Sequence, residues 1–214
     1  MSNLCMFRDR VEAGKQLADA LKAYKGKKDA MILAIPRGAL KMGEVLHKEL
    51  GLPLDIIITK KIPHPMNEEY AIGAVGPGGE FFINAVAAAE VKPEYIEAQK
   101  AKLFAAVDDR YRSYRGNRPK PELKGKAVII IDDGIATGST VLAAIHVIRK
   151  QKPKRIVVAV PVGPPDSVAM LAGEADEVIC LMQPGMFFAI GAFYKDFAEV
   201  TDKEAIAILE GCRL

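Results

Sequence analysis

Residues 128–140, VIIIDDGIATGST, are the stretch that decides the fold. Four β-branched residues lead into a pair of aspartates and then into small and hydroxyl-bearing residues. A short, continuous run of this kind is typical of a strand that is covered on both faces. In an open parallel sheet, ligands bind beyond the carboxyl ends of the strands, so the loop after Ile131 is where a site is expected.

The same alternation of a buried strand and a helix recurs along the chain. Such alternation predicts an α/β fold with an open, mainly parallel twisted sheet that is flanked by helices. The predicted strands cover 30–36, 54–59, 127–131, 155–162 and 177–182, and the predicted helices that follow them cover 38–50, 139–150 and 166–174.

Two segments depart from this alternation. Residues 70–84 hold two short strand-like runs around a Gly-Pro-Gly-Gly turn, which predicts a hairpin outside the main sheet. Residues 92–115 have the apolar spacing of a long amphipathic helix with a basic end. The basic segment 115–126 then connects this helix to the central strand. All of residues 1–214 are expected to form one domain.

The bulk composition excludes several classes of protein. With 50% hydrophobic and 27% charged residues, the composition is that of a globular chain. A net charge of +3 is too small to indicate a nucleic-acid partner; the basic helix end is read as a solvated terminus, with a nucleic-acid patch as the alternative. Cys5, Cys180 and Cys212 are widely spaced and predict reduced, structural thiols. Charged residues come too close to the N-terminus for a secretory signal, and no apolar run is long enough to span a membrane. Both features predict a cytoplasmic protein without membrane partners.

The paired carboxylates conflict at first sight with a loop that is built for an anion. Gly134 and the run 137–140 offer backbone amides and hydroxyls at the start of a helix, which suits a phosphate. Asp132 and Asp133 beside it are compatible with a ligand that also carries hydroxyls or a bound cation. A sugar phosphate with vicinal hydroxyls and Mg²⁺ satisfies both halves of the motif. The alternative is a strand-end turn that only caps the next helix.

The run VIIIDDGIATGST resembles the 5-phosphoribosyl-1-diphosphate (PRPP) signature of the type I phosphoribosyltransferases. The resemblance implies that Asp132 and Asp133 bind the ribose hydroxyls and help to place Mg²⁺, and that 136–140 hold the 5-phosphate. The PRPP-binding residues that it implies are Asp132, Asp133, Gly134, Ile135, Ala136, Thr137, Gly138, Ser139 and Thr140. One departure is Ala136, because hypoxanthine-guanine members carry an aspartate there that is suspected of proton transfer with the base.

Other parts of the chain are similar to the family's diphosphate loop and lid. AIPRGAL (34–40) resembles the loop in which family members often have a non-proline cis peptide, and that bond is expected between Pro36 and Arg37. Diphosphate is expected to bind Pro36, Arg37 and Gly38 in this loop, and also Lys60 and Lys61. These two lysines are interpreted as the end of the second strand. The alternatives are an arginine that caps a turn and solvated lysines. The segment of about 61–90 is the predicted flexible lid, and its His64 is interpreted as a loop residue.

The acceptor site is expected in a small C-terminal hood at about 183–198. In the family this region holds a ring that stacks on the base, and Phe188 within FFAIG is the candidate. Packing of Phe187 and Phe188 in an aromatic cluster is the alternative. The pattern as a whole is similar to a poorly characterised bacterial branch of the family, and family members are usually homodimers.

The resemblance implies phosphoribosyl transfer from PRPP to a nitrogenous base or a similar acceptor, with release of diphosphate, and it does not identify that acceptor. Arg37, Asp132 and Asp133 are the predicted catalytic residues, Mg²⁺ is the predicted cofactor, and PRPP and a nucleobase are the predicted partners. The alternative function is a non-enzymatic PRPP or nucleotide sensor on the same fold, because fold alone does not decide function.

Overall fold

The computed structural model describes residues 6–212, apart from the side chain of Glu69. Cys5 lies outside the described residues. The strands are β1 (Ala30–Ala34), β2 (Leu54–Ile56), β3 (Lys60–His64), β4 (Asn67–Val75), β5 (Phe81–Ile83), β6 (Ala127–Ile131), β7 (Arg155–Val162) and β8 (Glu177–Met182). The helices are α1 (Arg10–Ala20), α2 (Ala39–Leu50), α3 (Pro93–Arg115), α4 (Ser139–Arg149), α5 (Pro165–Ala172) and α6 (Asp202–Gly211).

The main sheet is parallel throughout, in the order β2-β1-β6-β7-β8. Side chains of β6 alternate between two cores: Ile129 and Ile131 pack with α1 and α2, and Val128 and Ile130 pack with α4 and α5. Because both faces of this strand are covered, every position must be apolar, and all five of its residues are buried. The α/β class predicted from the sequence is confirmed.

The second strand is shorter than predicted, and the lysines after it belong to a different sheet. Residue Ile56 of β2 pairs with Ala34, the last residue of β1, so the chain beyond this point has no neighbouring strand to continue with. It turns away instead and begins β3 at Lys60. The interpretation of Lys60 and Lys61 as the end of the second strand is therefore wrong.

The predicted hairpin is part of a three-stranded antiparallel sheet, β3-β4-β5. Ile62, Ile72 and Val75 of this sheet are buried and pack with Val107 of α3 in a small core of their own. A second contact joins Ala74 of this sheet to α4. Residues 60–83, which make up most of the segment that the family resemblance assigns to a flexible lid, thus form a folded layer that rests on two helices.

The basic end of α3 is held by acidic partners. Arg115 is buried, and its guanidinium donates to both carboxylate oxygens of Asp55 in β2, at 2.7 Å each. Arg110 donates to both carboxylate oxygens of Asp202, at 3.0 and 3.1 Å. The prediction of a solvated helix end is wrong for Arg115, because this side chain ties the helix to the edge of the main sheet.

Among the described residues, no helix is long and apolar enough to cross a membrane. Cys180 is half-buried and Cys212 is buried, and both are free thiols.

Candidate functional site

The loops that follow β1 and β6 start side by side at one edge of the main sheet. Ala34 and Ile131, the last residues of the two strands, are direct partners in the parallel ladder. The amide of Ile35 donates to the carbonyl of Ile131 at 3.0 Å, which holds the start of the first loop against the end of β6. This register brings together the starts of two segments that were predicted to bind ligand, 36–38 and 132–140.

A cavity of about 140 Å³ lies at this edge. Asp132, the small-residue loop and the first turn of α4 all line it. Its lining residues are Asp132, Gly134, Ile135, Ala136, Thr137, Gly138, Ser139, Thr140, Val141 and Ile190. The structure therefore brings together in one cavity all but one of the residues that the signature predicts for PRPP, the exception being Asp133. The sequence reasoning did not include Ile190, which reaches the cavity from the hood.

The loop presents the start of α4 to this cavity. Gly138 directly precedes the helix with φ +76°, a left-handed conformation that favours glycine. Glycine has no side chain that could cap the helix. The N–H of Ser139 makes a long contact of 3.4 Å to the Thr137 hydroxyl. The start of a helix of this kind is suited to an anion. The Ser167 hydroxyl donates to the Ala136 carbonyl at 2.7 Å and fixes the outer side of the loop.

Asp132 is the acid that borders the cavity. Its carboxylate accepts the backbone N–H of Asp133 at 2.8 Å. Burial, and next the neighbouring charge of Asp133, raise the pKa of Asp132 to about 8. A cation or hydroxyl donors placed beside this carboxyl group would favour its charged form, so the site is suited to a ligand that brings positive charge or hydroxyls.

Asp133 has a different environment. Arg10, in the first turn of α1, donates to both of its carboxylate oxygens, at 3.1 and 2.9 Å. The two side chains are 8% and 15% exposed, so the ion pair is largely removed from water. The sequence reasoning missed Arg10, although a signal was present: Arg10 shares the buried face of α1 with Ala13, Gly14 and Leu17, and a buried arginine requires an acidic partner.

The donor set suits Mg²⁺ that is bound together with a phosphate ligand. No group of three or more histidine, cysteine or acidic side chains in the described part of the chain could hold a metal ion. Mg²⁺ is, however, usually held by one or two carboxylates with substrate phosphates and water completing its coordination. Asp132, beside the loop of the cavity, offers such a carboxylate.

Arg37 lies in the loop after β1, and the peptide bond between Pro36 and Arg37 is cis, as predicted. The side chain of Arg37 is ion-paired with Glu199, and its Nη1 lies 3.5 Å from a carboxylate oxygen of Asp202. The Arg37 and Glu199 side chains are 36% and 76% exposed, so water competes strongly for this contact. Arg37, the residue predicted to bind diphosphate, is therefore paired with acidic residues that lie near the C-terminus.

Lys61 and Lys60 lie differently with respect to the phosphate loop. Lys61 lines a second cavity, of about 270 Å³, together with Thr59 and the residues Thr137, Ser139 and Thr140 of the loop. Lys60, one residue earlier on β3, is exposed. Lys61 was predicted to lie at the end of the second strand. As part of the three-stranded sheet it lies instead beside the start of α4, where the anion site is expected.

The two candidate rings of the hood have separate environments. Phe187 is stacked on the buried Phe193, with ring centroids 5.3 Å apart, which fits the aromatic-cluster alternative for this residue. Phe188 is 90% exposed. The hood itself is joined to the N-terminal segment through a parallel bridge between Phe7 and Tyr194.

Comparisons with known proteins agree with this geometry. The family model for the phosphoribosyl transferase domain matches residues 8–195. Two Mycobacterium tuberculosis proteins, from strains CDC 1551 / Oshkosh and ATCC 25618 / H37Rv and provisionally named phosphoribosyl transferases, are each 38% identical over 207 residues, or 96% of this chain. The chain spans 46% of the length of these relatives.

One solved structure is similar to this chain over nearly its whole length. The crystal structure of TT1426 from Thermus thermophilus has a TM-score of 0.89 and 41% sequence identity, and the match covers 95% of this chain and 97% of that one. The fold is that of the type I phosphoribosyltransferases, as the signature implied. The chain belongs to the phosphoribosyl transferase domain family.

Proposed function

We propose that the protein transfers the phosphoribosyl group of PRPP to a nitrogenous acceptor, for which a nucleobase is the leading class. The observation that carries this proposal is the cavity that Asp132 lines together with the start of α4, where the N-cap residue is Gly138. An anion site beside a carboxylate suits a sugar phosphate better than a free phosphate. The carboxylate would repel a free phosphate, whereas a sugar phosphate also brings hydroxyls that the carboxylate can accept, or a bound cation.

In this reaction the bond between C1 and a diphosphate oxygen breaks, and the electron pair leaves with the diphosphate. A bond from C1 to the acceptor nitrogen forms, and the acceptor loses its proton from that nitrogen. The residues at 136–140 would hold the 5-phosphate, and the signature acids would hold the ribose hydroxyls. Mg²⁺, held beside Asp132, would supply positive charge for the leaving diphosphate.

The residues proposed for the leaving group are those of the loop after β1 and the lysines at the start of β3, of which Lys61 lines the second cavity. Arg37 and Lys61 would stabilise the negative charge that grows on the diphosphate, with Pro36, Gly38 and Lys60 completing its surroundings. Phe188, exposed at the hood, is the proposed surface on which the base stacks. Ala136 supplies no proton-transfer group, so the acceptor would lose its proton to another base or to water.

Two measurements test the proposal. Calorimetry should detect PRPP binding that is stronger with Mg²⁺ than without it, and a diphosphate-release assay across a panel of nucleobases should give turnover with at least one. Tight PRPP binding with no turnover on any base would favour the alternative function, a PRPP sensor. An absence of Mg²⁺-dependent PRPP binding would exclude both functions.

Glu199→Gln is expected to strengthen PRPP·Mg²⁺ binding about two- to fivefold. Glu199 competes with the diphosphate for Arg37, and an exposed ion pair of this kind contributes about 0.2–1 kcal/mol. The measurement is the calorimetric dissociation constant. Glu122→Gln, at an exposed position of the linker 116–126, is the control because it makes the same change in net charge. Weaker binding by the Glu199 variant would show that Arg37 is not released to the ligand.

A further inference from the structure

We propose that a crevice between the three-stranded sheet and α4 is a second ligand site, which binds a small aromatic carboxylate and thereby weakens the binding of PRPP. The crevice has a volume of about 230 Å³ and is lined by residues of β3, β4, β5 and α4 and by Asn84. The site goes beyond the proposed function, and only its effect on PRPP rests on that function.

The helix side of the crevice is one stripe of α4. Ser139, Leu142, Ala143 and His146 line it, and their spacing of i, i+3, i+4 and i+7 places them on the same side of the helix. Because a helix rises about 1.5 Å per residue, this stripe runs for about 10 Å from the start of α4 to its last turn. Ser139 also lines the cavity of the signature residues, so one end of the crevice lies beside that cavity.

The sheet side of the crevice is built from small residues. Ala71, Gly73 and Ala74 of β4 line it. A Cβ at Gly73 would lie 2.3 Å from the backbone carbonyl oxygen of Phe82, so a larger residue at this position would force β4 and β5 apart. Ala74 packs with Ala143 of α4, which holds the two elements together beside the open space. The room for a ligand thus results from small side chains around a fixed contact.

The ring of Phe82 lines the crevice near the last turn of α4. Its centroid lies 4.0 Å from that of the His146 imidazole. Nε2 of His146 lies 3.1 Å from a carboxylate oxygen of Glu174, which fixes the imidazole to the loop after α5. Tyr70 adds a second ring to the lining, and Asn84 adds a side-chain amide. Aromatic rings with a few polar groups are the usual lining of a site for a small planar molecule.

Lys61 supplies positive charge to the crevice, and it lines the second cavity as well. No aspartate or glutamate is among the described residues that line the crevice. One ammonium group suits a ligand with one negative charge, whereas a phosphate monoester brings nearly two. The Ser139 hydroxyl and the Asn84 amide are further donors for the oxygens of such a ligand. A single carboxylate on an aromatic ring fits this combination of a cation, donors and rings.

The effect on PRPP follows from the residues that the two sites share. Lys61 is one of the residues proposed for the diphosphate of PRPP, and Ser139 is one of those proposed for its 5-phosphate. An anion in the crevice would draw on the same ammonium group and would add negative charge beside the first turn of α4. By linkage, each ligand should weaken the binding of the other by the same factor.

The direct test is calorimetric titration of the protein, without PRPP, with pyridine-3-carboxylate and with its uncharged amide. The acid should bind saturably, and the amide should bind about tenfold or more weakly, because it lacks the charge that Lys61 meets. Benzoate and pyrimidine-5-carboxylate complete the panel, since they vary the ring and keep the charge.

Phe82→Leu tests where the acid is bound. Loss of the ring should weaken binding of the acid by about fivefold or more, since contact between aromatic rings contributes beyond the apolar area that leucine retains. Tyr70→Leu, at an exposed position of the same lining, should weaken it by about twofold or more. Phe81→Leu, at the neighbouring residue of β5 and outside the crevice lining, is the matched control and should bind the acid as the wild type does. Melting curves establish that the three variants are folded.

Three results would overturn the site. They are the absence of saturable binding by every acid of the panel, equal binding of the acid and its amide, and binding that Phe82→Leu and Tyr70→Leu both leave unchanged. The last of these would place the acid elsewhere on the protein.

The effect on PRPP is measured by titration with PRPP·Mg²⁺ in the presence of saturating acid. The dissociation constant should rise by about fivefold or more in the wild type and in Phe81→Leu, and by less in Phe82→Leu at the same concentration of acid. An unchanged constant in the wild type would overturn the effect of this site on PRPP. If the wild type binds the acid but no PRPP, the proposed function fails while the site stands, so the two failures are distinguishable.

Discussion

Asp132→Asn is expected to reduce PRPP·Mg²⁺ affinity by at least one to two orders of magnitude. A hydrogen bond to a charged group is worth about 1.5–3 kcal/mol, which alone corresponds to roughly 10- to 150-fold in affinity. The loss of a Mg²⁺ ligand adds to this effect, because an amide is a weaker ligand than a carboxylate. The measurement is calorimetric titration with PRPP in the presence and absence of Mg²⁺.

The same substitution should leave the fold intact, which separates a loss of binding from a loss of structure. An asparagine keeps an oxygen that can accept the Asp133 N–H. The folded-state pKa of Asp132 is raised above its unfolded value, so its contribution to stability is present at low pH and is lost as the pH rises through about 8. A neutral asparagine does not carry this cost, and the melting temperature near pH 8 should stay level or rise.

The outcome that contradicts the assignment is simple to recognise. An Asp132→Asn protein that melts like the wild type and binds PRPP·Mg²⁺ with unaltered affinity would show that Asp132 does not meet the ligand. Asp166→Asn, in the first turn of α5 and outside the cavity lining, is the matched control and should bind normally.

Asp55→Asn is expected to destabilise the fold by about 3–5 kcal/mol, because it leaves the buried guanidinium of Arg115 without its counter-charge. The side chains are 5% and 13% exposed for Arg115 and Asp55. For a protein of this size the change corresponds to a fall of roughly 6–20 °C in melting temperature. Thermal and urea unfolding both measure it.

The control for this prediction is Asp29→Asn, which removes the partner of Lys154 from an ion pair at the surface. Both side chains of that pair are more than half exposed, and no measurable change in melting temperature is expected. Equal shifts for the two variants would mean that the Asp55–Arg115 pair does not hold α3 to the main sheet.

The sequence predicted the parts of the fold whose signals are local. The strand β6 and the loop after it could be recognised because strand, acids and small residues are adjacent in the chain. The strand β3 could not, because its lysines, its proline and its histidine do not form an apolar run; it is a strand through its pairing with β4. Propensity is a weak guide where tertiary pairing decides.

In the candidate site, too, the residues that are adjacent in the chain were predicted, and the partners that are distant in the chain were not. The residues 132–140 were predicted as a ligand loop, and all but Asp133 border the cavity. The partners that change the chemistry are distant in sequence: Arg10 lies 123 positions from Asp133, and Glu199 lies 162 positions from Arg37. Carboxylates and guanidinium groups are common on any surface, so their pairing becomes visible only when the fold brings them together.

The contact between the three-stranded sheet and α4 has an evolutionary consequence. Small side chains at Ala74 and Ala143 let the sheet lie close to the helix beside Val147, and that helix begins at the anion loop. We expect few larger residues to replace Ala74 or Ala143 during evolution, because a larger side chain there would push on α4, the helix that carries the site. At the tip of the sheet Met66 is 87% exposed, so a change of volume there would not push on that helix.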